Sequence, residues 1–263
     1  MGKVLFVGAG PGSADLITLR GAAALARADV VLFDALTDPA LRELAPGARW
    51  LDVGKRGYAH AQKQDAINAM LVGAARQYAC VVRLKGGDPS LFGRLEEELE
   101  ALSAAGIECE VVPGVTAALA AAAASQRPLT RRGRGRSVAF STAMTQSGEL
   151  HCARHADSEV FFMAGKQLAA LSRQLLCAGW PADTPVCVVS RAGWPDQRVS
   201  QHHASTLAQA AVLHAGRPTV VTVGAAADCV QPAAGGHAEP GTPSLPPCGG
   251  TVPRRTPKRA VSI

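Results

Sequence analysis

Short apolar runs alternate with longer amphipathic stretches along the first half of the chain. Runs over residues 4–7, 29–33, 50–53, 81–85 and 108–112 predict five buried strands. Between the first two, residues 19–27 form an alanine-rich helix that Thr18 can cap. Ile67, Met70, Leu71 and Ala74 recur at helical spacing within 64–76, and 95–105 reads as another helix. Strands alternating with helices imply parallel β-α-β units, with helices on both faces of a sheet. Pro113-Gly114 breaks this rhythm. Residues 115–125 are nearly all alanine and predict a tightly packed helix. A second set of strands follows at 137–142, 159–163, 185–190, 198–202 and 219–224, with helices at 168–178 and 206–214. The fold class is α/β, with one domain over 1–113 and another over 114–230. Beyond 231 the chain is rich in Pro and Gly with little to bury, which predicts a disordered basic tail over 231–263.

Composition narrows the class. The hydrophobic share is 48% but aromatics are only 4%, so the core is built mostly from Ala, Val and Leu. The chain enters a strand at once, with no basic segment leading into an apolar run, and no apolar stretch is long enough to span a bilayer. No secretory signal and no membrane segment are expected. The 7 cysteines are scattered and form no C-x-x-C pair, which argues against a disulfide frame or zinc site and for a reducing, cytoplasmic setting. The net charge of +6 is concentrated in the tail and in the cluster Arg131, Arg132, Arg134 and Arg136. An excess of this kind suits nucleic acid, an anionic membrane or an acidic small molecule, and a solvated basic loop accounts for it equally well. Aromatic residues are not interleaved with it, so no nucleic-acid platform is expected.

The candidate chemistry lies in glycine turns. Three strands end in them, at Gly8-Ala9-Gly10-Pro11-Gly12, at Gly54-Lys55-Arg56-Gly57 and at Gly86-Gly87-Asp88-Pro89. In a parallel sheet these turns share the C-terminal edge, where open α/β sheets bind ligands. A tight strand-to-helix turn without a ligand accounts for each turn equally well. A dinucleotide fingerprint fits the first turn poorly, although Asp34 ends the second strand as such folds require. Ser13 stands where the third glycine belongs, and Pro11 lacks an N–H. No P-loop, metal-ligand cluster or nucleophile elbow is present.

These residues also carry a resemblance. Val7 to Gly12 with Asp15-Leu16-Ile17-Thr18, Val53 to Arg56 with His60 and Gln64, and Arg83 to Pro89 with Phe92-Gly93-Arg94 resemble successive motifs of the tetrapyrrole methylases. Val112 to Ala117, Pro128 to Gly133 and Asp196 to Val199 continue the match, which spans roughly residues 4–224. The resemblance implies two α/β domains with S-adenosylmethionine in the cleft between them, no metal, and a homodimer. It implies C-methylation of uroporphyrinogen III to precorrin-1 and precorrin-2. The alternatives are a related methylase with another substrate, or a weakly active paralogue that binds cofactor. By position, the cofactor residues are Pro11, Gly86, Gly87, Asp88, Leu91, Thr116, Ala117, Met163 and Ala192. Asp34 and Lys55 align with a proton acceptor and a proton donor, and Arg94 lies in a segment tied to catalysis. Arg56, Arg131 and Arg132 are expected to meet substrate carboxylates.

The sequence departs from the family pattern in places. Leu95-Glu96 replaces Gly-Gly after the arginine, and Ser190-Arg191-Ala192-Gly193 replaces Glu-Asn-Ala-Thr.

Overall fold

The computed structural model describes residues 2–54, 64–144, 150 and 152–230. The first five strands are β1 (Lys3–Gly8), β2 (Val30–Phe33), β3 (Arg49–Asp52), β4 (Cys80–Lys85) and β5 (Cys109–Val112). They form one sheet in the order β3-β2-β4-β1-β5, with every pair parallel. Strands buried on both faces read as continuous apolar runs, as β1 and β2 do, whereas the edge strands β3 and β5 include polar, partly exposed residues. Alternate residues divide between two cores. Val4, Phe6, Val30, Leu32 and Val81 pack with Ile67 and Leu71 of α2 (Gln64–Gln77) and Leu102 of α3 (Leu95–Ala104). Leu5, Val7, Val31, Val82 and Leu84 pack on the opposite face with Leu25 of α1 (Leu19–Leu25) and with Leu41. Thr18 caps α1, its hydroxyl accepting from Gly21 N at 3.0 Å. Leu41 belongs to a 3-10 turn, Pro39–Leu44, capped by Asp38. The sequence pattern left that stretch without an element.

The remaining strands are β6 (Val138–Thr142), β7 (Ser158–Phe162), β8 (Pro185–Ser190), β9 (Arg198–His203) and β10 (Thr219–Gly224). They form a second sheet in the order β6-β7-β10-β8-β9. Only β6 and β7 run parallel in it; the other pairs are antiparallel. One face packs on α5 (Leu168–Cys177) through Leu168, Leu171 and Leu175. The other packs on α4 (Ala117–Ser125), where Ala118 and Ala121 meet Val160, Val189 and Val220. Alanine lets that helix approach the sheet closely.

Two expected elements differ. The strand expected to reach residue 163 stops at Phe162, because Met163 turns to φ 57°. The helix expected over 206–214 is a 3-10 turn, Leu207–Ala210, followed by one α turn, α6 (Ala211–His214). Thr206 does not cap it. Its hydroxyl accepts from His203 N at 3.0 Å instead. The tail expected over 231–263 lies outside the described residues. Among the described residues no helix is long and apolar enough to cross a membrane.

Candidate active site

The C-terminal edge of the first sheet forms one wall of a cleft, and the second sheet forms the other. Gly10, Pro11 and Gly12 reach the cleft after β1, Leu36 after β2, and Gly86, Gly87, Asp88 and Leu91 after β4. Thr116 and Ala117 reach it from the start of α4. Opposite stand Phe162 and Met163 after β7, Val189 to Ala192 and Trp194 around the end of β8, and Pro218 to Val220 at β10.

Bare backbone builds the first wall. Gly10 and Gly87 exchange both main-chain hydrogen bonds, at 3.2 and 2.9 Å, and hold φ of +77° and +72°. Asp88 ties this pair to the next crossing. Its Oδ1 accepts from Ser90 N and its Oδ2 from Gly114 N, both at 2.8 Å. Gly114 lies against Gly8 so closely that a β-carbon on Gly8 would stand 2.6 Å from its Cα. At the head of α4, Thr116 makes no side-chain cap and only its carbonyl accepts, from Leu119 N at 3.1 Å and Ala120 N at 3.3 Å, while the N–H groups that open a helix have no partner in its own ladder.

Aromatic and cationic side chains close the other wall. Phe92 packs on Phe162 with ring centroids 5.1 Å apart. The Arg191 guanidinium sits 4.4 Å over the Trp194 ring, and its Nε donates to Asp196 Oδ1 at 2.7 Å. Phe92, Met163 and Arg191 all lie in the left-handed region, with φ of 51°, 57° and 50°. Non-glycine residues seldom adopt it, and clusters of them mark functional sites.

Each residue expected to hold cofactor lines this one cleft: Pro11, Gly86, Gly87, Asp88, Leu91, Thr116, Ala117, Met163 and Ala192. The residues expected to act on substrate are placed differently. Asp34 follows β2, two residues before the cleft-lining Leu36, with its side chain 30% exposed and 2.7 Å from Arg83. Lys55 and Arg56 lie outside the described residues. Arg94 does not line the cleft. It is exposed, and Glu97 takes up its fork, with Nε–Oε1 at 2.7 Å and a second bond from NH2. Arg131 is largely covered and donates to the carbonyls of Ala225 and Cys229 at 3.3 and 3.1 Å. It anchors the chain after β10 and does not line the cleft. Arg132 is exposed beside it.

Sequence reasoning missed Arg191, Trp194 and Thr219 on the second wall; Arg191 and Trp194 close a turn around the single Gly193, Trp194 N donating to the Arg191 carbonyl at 3.0 Å. It also missed a buried ionic cluster beneath Asp34. Arg83, Lys85 and Glu98 are buried there and joined at 2.6–3.0 Å. Two charges inside the apolar run of β4 were the signal, because buried charges need partners. Burial works against charge on Arg83, but Asp34 and Glu98 outweigh it and hold its pKa above the ordinary value. Lys85 is held below its ordinary value by burial and then by Arg83. Among the described residues, no three His, Cys, Asp or Glu side chains converge as a metal site would require.

Comparison with known proteins follows the same lines. A family model, Tetrapyrrole (Corrin/Porphyrin) Methylases, matches residues 3–211. The chain is 41% identical over 234 residues to a uroporphyrinogen-III C-methyltransferase of Synechocystis sp., covering 86% of this chain and 89% of that one. It is 44% identical over 201 residues to the enzyme of that name from Pseudomonas aeruginosa, covering 75% and 82%. A solved uroporphyrin-III C-methyl transferase from Thermus thermophilus, complexed with S-adenyl homocysteine, superposes with a TM-score of 0.76 at 35% identity, covering 86% of this chain and 98% of that one. A match of this extent, over both sheets and the cleft between them, places the chain in the tetrapyrrole methylase family.

Proposed function

We propose that the chain transfers methyl groups from S-adenosylmethionine to carbon atoms of uroporphyrinogen III, giving precorrin-1 and then precorrin-2. The observation that carries this reading is the convergence of nine residues, from five segments of the chain, on one cleft. The cleft fits the cofactor. Gly86 and Gly87 offer bare backbone for close approach. Leu91, Phe92, Phe162, Met163 and Val220 offer an apolar surface for a nucleoside. The uncapped head of α4 offers N–H donors for an anionic group. When bound, the cofactor supplies an electrophilic methyl group on a sulfonium.

This chain's residues would then do two things. They would align the acceptor carbon with that methyl group, since displacement depends chiefly on positioning. They would also take the proton that the methylated macrocycle sheds from the methylene bridge beside the modified ring. Asp34 suits that role: it is a partly exposed carboxylate at the sheet edge, steadied by Arg83. Lys55 is proposed as its proton-donating counterpart. Arg94 is exposed and stays charged, with Glu97 engaging its Nε and NH2, so we assign it to substrate contact and not to proton transfer. Arg132 and Arg56 are proposed for further carboxylates. We propose a division into two domains near residue 113, on the ground that the chain changes sheet between Val112 and Val138. We also propose a homodimer, to be checked by sedimentation.

The deciding experiment is methyl transfer to enzymatically made uroporphyrinogen III, with products weighed by mass spectrometry. Successive gains of one and two methyl groups are expected. Tight binding of S-adenosylhomocysteine with no gain in mass would leave a cofactor-binding relative with another substrate.

A further inference from the structure

On the face of the first sheet that packs against α2 and α3, β4 changes character toward its C-terminal end. Val81 joins the apolar core, but the next two residues on that face are Arg83 and Lys85, 2% and 3% exposed. Both cations converge on Glu98 of α3, which is 0% exposed. Glu98 Oε1 accepts from Arg83 Nε at 3.0 Å, and its Oε2 accepts from Lys85 Nζ at 2.6 Å. Gln64 Nε2 donates to the same Oε1 at 3.3 Å and to Asn68 Oδ1 at 3.0 Å. The far side of the Arg83 guanidinium is equally committed. NH1 donates to the carbonyls of Leu84 and Leu32 at 3.2 and 3.4 Å, and NH2 donates to Asp34 Oδ1 at 2.7 Å.

The cluster thus pairs two cations with two carboxylates, and it is asymmetric. Three members are sealed in the core, and only Asp34 opens outward. The guanidinium is planar, so docking its Nε edge on Glu98 fixes where its NH2 edge points. Glu98 has a second effect. By taking the Lys85 ammonium, it leaves Asp34 facing one cation instead of two.

We propose that Glu98 is a positioning residue for methyl transfer: through Arg83 it aims the Asp34 carboxylate, and by engaging Lys85 it keeps a second cation off that carboxylate. This rests on the reading of Asp34 as the group that accepts the proton lost after methylation. The methylated ring carbon is fully substituted and leaves its ring as an iminium; a C–H bond of the adjacent methylene bridge then breaks, its electron pair forms a C=C bond to the ring and neutralises the iminium, and the proton passes to Asp34. A carboxylate held askew, or shared between two cations, is a poorer acceptor.

The test uses the full chain with S-adenosylmethionine and uroporphyrinogen III. It compares Glu98→Gln, Glu98→Asp, Asp34→Asn and the double variant E98Q/D34N. Glu98→Gln should lower kcat about 10- to 100-fold, with KM for the tetrapyrrole and affinity for S-adenosylhomocysteine within about twofold. Glu98→Asp keeps the charge and shortens its reach, so its kcat should lie between wild type and Glu98→Gln. The double variant should be no slower than Asp34→Asn alone, because one residue acts through the other. A slow Asp34→Asn beside a Glu98→Gln of wild-type kcat overturns this inference and leaves the proton acceptor in place. Losses that multiply in the double variant overturn it too. An Asp34→Asn of full turnover removes the reading beneath it. If Glu98→Gln does not fold, Glu98→Asp decides, and a wild-type kcat there overturns the proposal.

Discussion

Gly193 crosses Pro11 so closely that a β-carbon on Gly193 would stand 2.1 Å from the Pro11 carbonyl oxygen. The crossing is reciprocal. A β-carbon on Gly12 would stand 2.6 Å from the carbonyl carbon of Gly193. Both glycines have positive φ, +85° at Gly12 and +81° at Gly193. Here the loop after β1 meets the loop after β8, and the two walls of the cleft touch. Gly193→Ala should force the loops apart and strain its own backbone, at about 1–3 kcal/mol. Thermal melting should show a drop of several degrees, and titration with S-adenosylhomocysteine should show weaker binding. Wild-type values for both would mean the loops separate freely.

Asp34→Asn separates cofactor binding from chemistry. Asparagine keeps the shape and a hydrogen-bond acceptor for Arg83 but cannot take up the proton. Affinity for cofactor should stay within about twofold, while single-turnover methyl transfer falls by roughly 10²–10⁴. Loss of cofactor binding together with turnover would move Asp34 from chemistry to ligand binding.

Gly87→Val should act in the opposite sense. Gly87 holds φ +72°, and the nearest atoms to an added β-carbon are 3.9 Å away, so the new side chain enters the cleft instead of the core. Cofactor binding should weaken by ~1–3 kcal/mol. Calorimetry with and without a chelator should give the same affinity, and NAD should produce no heat. Tight NAD binding would return the dinucleotide fingerprint to consideration.

A buried imidazole sets the pH response of the second sheet. His214 is fully buried, with Nδ1 2.8 Å from Ser190 Oγ and Nε2 2.8 Å from Ser200 Oγ. Burial, then the nearby His202, Arg217 and Arg198, lower its pKa from 6.5 to about 4. The unfolded chain therefore takes up a proton below about pH 6.5, and the folded chain does not until about 4. Folding stability from this group is intact above 6.5 and declines as pH falls toward 4, by roughly 3 kcal/mol in all. Melting temperatures between pH 7.5 and 4.5 should fall steeply for the native chain and less for His214→Gln. Parallel curves would place the acid sensitivity elsewhere.

Much of the fold is legible because burial on both faces leaves an unmistakable mark. The strands β1 and β2 are apolar runs, and β4 and its glycine turn stand where the residues alone place them. The first wall of the cleft is legible for a related reason: backbone that meets a ligand needs glycine, and glycine shows. The second wall is not. Arg191 and Trp194 reach the cleft through a turn around one glycine, Gly193, too slight a mark beside the paired glycines of the first wall. Arg131 misleads in the other direction. A run of arginines reads as solvent-exposed, yet this one is covered by carbonyls 94 and 98 positions along the chain. Glu98 sits among Glu96, Glu97 and Glu100 and looks like any surface glutamate, until α3 is docked and turns it toward Arg83 and Lys85.

The left-handed backbone at Phe92, Met163 and Arg191 sets robustness against activity in this chain. Each of the three conformations costs on the order of 1 kcal/mol that a glycine would not incur. Replacing any of them by glycine would relieve that strain and, in the same stroke, strip a side chain from the wall of the cleft.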